Sequence, residues 1–63
     1  MEANVTTADK LACVEREITM RERVYPRWID AGRMSKQKAA QEIAVMKAIA
    51  EDYRSASEKE RLI

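Results

Sequence analysis

Apolar residues along this chain fall into two stretches of helical period, divided by one short corner. Leu11, Val14, Ile18, Tyr25 and Trp28 recur at steps of three and four, with Arg21 standing where the next apolar residue is due. That spacing predicts a helix with one buried stripe. Beyond the corner, Ala39, Ile43, Met46, Ala50 and Tyr53 keep heptad spacing, which predicts a second helix from Lys36 to about Arg54.

The start and stop signals agree with this division. Thr6 or Thr7 can accept a hydrogen bond from an otherwise unpaired amide in the first turn, and Asp9 there suits the helix dipole. Gly32 supplies the left-handed position that closes a helix, and Ser35 caps the next one. Pro26 cannot donate to the carbonyl of Glu22. Either the helix kinks there, or it ends near Val24 and restarts with Pro26 in its first turn; the stripe keeps phase across Pro26, which favours the kink. A corner this short makes the two helices antiparallel neighbours, so Trp28 is expected near Ala39 and Ala40, Ile18 near Ile49 and Ala50, and Val14 near Tyr53. The expected architecture is all-α: a flexible segment at residues 1–7, a helical hairpin at 8–54, and a polar tail at 55–63. That tail either extends the second helix or frays and lays Leu62 and Ile63 on a partner chain.

A second apolar stripe on each helix changes the picture. Cys13, Met20 and Val24 form it on the first helix, Val45 and Ile49 on the second, and one hairpin cannot bury both stripes. With 63 residues, a single hairpin also buries only a modest share of its surface. Pairing into a dimeric four-helix bundle is therefore expected, with Cys13, Met20, Val24, Val45 and Ile49 at the interface.

Composition and charge narrow the function classes. Twelve basic and eleven acidic side chains nearly cancel, so the overall charge favours neither nucleic acid nor an anionic membrane. No apolar run approaches the roughly 20 residues that a bilayer span needs, and the first residues lack the pattern of a secretory signal. A cytoplasmic protein is expected. Cys13, the only cysteine, then reads as a reduced, buried thiol acting as a small hydrophobe.

Catalysis has little to work with. The chain has no histidine to activate Cys13, to complete a serine triad or to bind zinc, and one glycine cannot make a phosphate loop. Glu51 and Asp52 point about 100° apart on a helix and read as solvated surface. A two-helix hairpin is also expected to lack the cavity of roughly 300 Å³ that a small-molecule site uses. No cofactor or metal is expected, and the protein reads as a binder rather than an enzyme.

Two features suggest what could bind. Arg21 is expected either to pair with Glu17 or Glu42, or to act as a buried specifier of dimer register or a partner-binding arginine; Glu17 four residues ahead favours the local pair. Around the corner, Arg23, Arg27, Arg33, Lys36 and Lys38 are opposed only by Asp30, with Tyr25 and Trp28 among them. The two aromatics are in phase with the core stripe and are expected to pack the hairpin tip. The surface left over for a protein partner is Arg23, Arg27, Trp28, Arg33, Met34 and Lys36, since arginine and tryptophan dominate interface hot spots. Nucleic acid is the alternative partner for the same basic tip.

Leu11 to Ile18, Arg23-Val24-Tyr25-Pro26-Arg27-Trp28-Ile29, Gly32-Arg33-Met34-Ser35, Ala40, Glu42-Ile43, Met46 and Asp52-Tyr53-Arg54 together carry a resemblance over about residues 9–54. The chain resembles a group of short proteins of phages and prophages of proteobacteria whose molecular function is unknown. Val24-Tyr25-Pro26-Arg27-Trp28 followed by Gly32-Arg33 is its most distinctive part. The resemblance implies an accessory role in a phage or prophage setting, inside a bacterial host cell, and supplies no catalytic residues.

Overall fold

The computed structural model describes residues 4–62, and within them the chain forms two helices packed against each other, α1 (Thr7–Asp30) and α2 (Lys36–Arg61). Of the expected flexible segment, residues 1–3 lie outside the described residues, as does Ile63. Thr6 is the cap of α1: its hydroxyl accepts from the Asp9 amide at 3.0 Å, and the Thr6 amide donates to the Asp9 carboxylate at 3.1 Å. This reciprocal box satisfies two amides at once, so the helix already begins at Thr7.

α1 runs unbroken through Pro26. Thus the helix does not end at Val24 and restart. It closes instead at the corner, where the Gly32 amide donates to the Ile29 carbonyl at 3.0 Å and the Arg33 amide to the Trp28 carbonyl at 2.8 Å. This paired arrangement requires a left-handed residue, and Gly32 supplies it with φ of 73°. Ser35 then caps α2 by accepting from the Lys38 amide at 3.0 Å. α2 continues through residues 55–61, which resolves the tail as a helix extension; Leu62 caps it with its side chain in solvent. Lys59 and Arg61 in the last turn favour that extension, their charges being of the sign the C-terminal end attracts.

The packed seam is thin. Ile18 and Tyr25 from α1 and Ala39 and Ala50 from α2 are the buried residues, all four from the expected stripes. Leu11, Val14, Ile43, Met46 and Tyr53, also on those stripes, are only half-buried. Small residues on α2 let the backbones approach, and the large residues of α1 fill the space. Trp28 departs from this scheme. It is 41% exposed, because it stands about 60° around α1 from Tyr25, past the edge that α2 covers. It rests on Tyr25 instead, with ring centroids 5.7 Å apart.

Candidate functional site

Two cross-helix ion pairs give the hairpin unlike sides. Arg54 reaches Glu15 at 3.0 Å and Glu51 at 2.6 Å, while Lys47 reaches Glu22 at 3.5 Å. At 100° per residue, Glu15 and Glu22 stand on one side of the Ile18 line and Lys47 and Arg54 on the matching side of the Ala50 line. That side is laced by charge. On the opposite side one contact crosses the seam, the Lys10 ammonium 5.9 Å from the centre of the Tyr53 ring.

The opposite side carries the second stripes. Met20, Trp28, Val45 and Ile49 are exposed there, and Val24 is half-buried. A hollow of about 240 Å³ lined by Met20, Arg21, Val24, Tyr25 and Trp28 opens on it. The structure thus joins Trp28 to the second stripe of α1 rather than to the basic corner. Cys13 is exposed in the single hairpin and lies about 140° around α1 from Ile18, on the second stripe with Met20 and Val24.

Arg21 takes the local option. Its guanidinium donates to the Glu17 carboxylate at 2.6 Å and to the Glu17 carbonyl at 3.2 Å. The hydrogen bond to Glu17 raises the Arg21 pKa further, and the always-charged guanidinium stands beside the apolar hollow. Arg54 is raised in the same way by its bonds to Glu51 and then Glu15.

The basic corner divides on inspection. Lys38 is paired with Glu42 at 3.1 Å, whereas no ion pair among the described residues engages Arg23, Arg27, Arg33 or Lys36. Arg23 and Arg27 project from the outer surface of α1, and Arg27 also complements the C-terminal end of the helix. Met34 is half-buried, and Lys36 faces the laced side.

Sequence periodicity missed a groove on the laced side, near the tip. It measures about 630 Å³ and its lining includes Tyr25, Pro26, Ile29, Ala40, Ile43 and Ala44. It is an open groove rather than an enclosed small-molecule cavity, formed where alanines 39, 40 and 44 leave α2 low beside Tyr25 and Ile29. The groove is open and largely apolar. Glu51 and Asp52 are exposed, as expected, and the described residues include no cluster of three or more metal-ligating side chains. No helix among them is long and apolar enough to cross a membrane.

Neither family models, nor curated proteins, nor solved structures give a match to this chain.

Proposed function

We propose that this protein is a non-enzymatic phage or prophage accessory protein that works by protein-protein contact in the cytoplasm of a bacterial host, occupying a surface of a host or phage protein. In this reading two hairpins pair through the Met20, Val24, Val45 and Ile49 side into a four-helix bundle. A bend of α1 at Pro26, where the Glu22 carbonyl lacks its amide, fits the tips to each other.

One observation carries the reading. The seam buries four residues, two of them alanine, while Met20, Trp28, Val45 and Ile49 stay exposed beside it. A core that small rarely stabilises a chain below roughly 70 residues without help, and disulfide help is absent in a chain with one cysteine. Large apolar residues left exposed on a chain with so small a core mark a surface that a partner can cover.

The partner-binding half is tested by retrieval from host lysate. Wild type should capture a protein that the Arg27→Ala/Arg33→Ala variant loses, with helicity and sedimenting mass unchanged. Retention of the same protein by that variant would remove the tip from the binding surface. The nucleic-acid reading draws support from the exposed Arg23, Arg27 and Arg33 and from the exposed Trp28, on which a base could stack.

A further inference from the structure

The groove on the laced side is separate from the side assigned above to pairing, so it stays open in the dimer. We propose that it captures an amphipathic helix of a partner protein, about three turns long, with aliphatic residues on one face and carboxylates at the end that meets Lys36. This deepens the protein-binding reading and rests on it.

Length, relief and charge each support that occupant. The groove is bounded by Lys36 at the tip and by the Lys47–Glu22 ion pair at its inner end. Lys47 lies eleven positions beyond Lys36 along α2, a rise of roughly 16 Å, which is the length of a three-turn helix. Between them, Ala40 and Ala44 on one wall and Pro26 and Ile29 on the other leave a trough between parallel helical ridges, the seat of a third helix in a bundle.

The charges at the two ends are unequal. Lys47 is neutralised by Glu22, while no ion pair among the described residues engages Lys36, and the first turn of α2 holds no acidic residue. The ammonium and the positive end of the helix dipole therefore act together at one end of the groove, where a carboxylate is favoured. A second copy suits this site poorly. Its outer α1 surface carries Arg16, Arg23 and Arg27, of the same sign as Lys36. Nucleic acid suits it less, because the floor is aliphatic and offers no donors for phosphates.

The test uses the full chain and a labelled synthetic helix of about 12 residues, with leucines at i, i+3, i+4 and i+7 and two glutamates at one end. A second probe has lysines in place of the glutamates. Fluorescence anisotropy should show the glutamate probe binding about tenfold more tightly, and Lys36→Glu should reverse that preference. Ala44→Glu, at an exposed helical position, should weaken both probes at least about tenfold without altering helicity. Equal affinity for the two probes, or undiminished binding to the Ala44→Glu variant, would overturn the proposal. A changed sedimenting mass in that variant would also overturn it, by making the groove a contact between copies. Pairing is read from the mass of the wild type and capture from anisotropy, so the two readings fail separately.

Discussion

Ile49→Asp separates an isolated hairpin from a paired one. Full burial of an isoleucine side chain stabilises by about 1.5–3 kcal/mol. Ile49 is 37% exposed in the single hairpin, so pairing has about 0.6–1.1 kcal/mol per protomer left to recover from it. A carboxylate enclosed there without a partner adds a penalty of about 1–3 kcal/mol per protomer. Two symmetry-related copies bring the loss to about 3–8 kcal/mol, and at 1.4 kcal/mol per factor of ten the dimer weakens at least about 100-fold. In the separated hairpin the aspartate reaches water, so the loss falls on association first and on the fold through it. Sedimentation equilibrium at micromolar concentration should give a dimer for wild type and a monomer for the variant, with wild-type melting temperature rising with protein concentration. A wild type that sediments as a monomer and melts cooperatively, independent of concentration, would refute the pairing argument. So would a variant with unchanged mass and melting curve, which would return Ile49 to an ordinary surface position.

Three further outcomes are expected. Gly32→Ala should lower stability by about 1 kcal/mol, read as a fall of several degrees in melting temperature. That loss is backbone strain alone at φ of 73°, since nothing lies within 4 Å of the added methyl; an unchanged melting temperature would mean the corner relaxes without cost. The Asp9 carboxyl is held below its ordinary pKa, first by the Thr6 amide and then by the Thr6 hydroxyl. Its folded value is therefore the lower one, and its stabilisation is complete above the unfolded value of about 4 and lost as pH falls through the folded value. Helicity of wild type should drop more than that of Asp9→Asn on acidification below about pH 4, and equal losses would show that the box contributes nothing. A labelled duplex at low salt should bind weakly at most; tight binding that falls steeply as salt rises and is lost in Arg27→Ala/Arg33→Ala would move the basic tip to nucleic acid.

The hairpin was legible in the sequence because its signals are local. Spacing located Ile18, Tyr25, Ala39 and Ala50, and the Thr6, Gly32 and Ser35 signals located the ends, each acting within a few residues. Trp28 lies outside the expected core for a simple reason. Periodicity reports phase along a single helix, while burial depends on how far around its circumference the neighbour reaches, and α2 alone reaches little beyond Tyr25. The groove was invisible for the complementary reason. Alanine reads as a neutral helix former, and its shortness becomes a cavity only when Tyr25 and Ile29 stand opposite. The basic tip was legible only as a cluster in sequence, because it spans a turn: Arg27 sits on one helix while Lys36 starts the other and lines the groove on the laced side.

The corner also governs how two copies can meet. A hairpin that opened into one continuous rod could trade helices with a second rod, the usual hazard of a two-helix unit. Here Gly32 and Arg33 give their amides to Ile29 and Trp28, and Ser35 caps the following turn. Straightening the chain would surrender those bonds and move Gly32 out of the backbone conformation it supplies with least strain. In the pairing proposed above, each protomer would therefore arrive with its own helices already matched, and assembly would be a docking of finished surfaces that the corner biases against domain exchange.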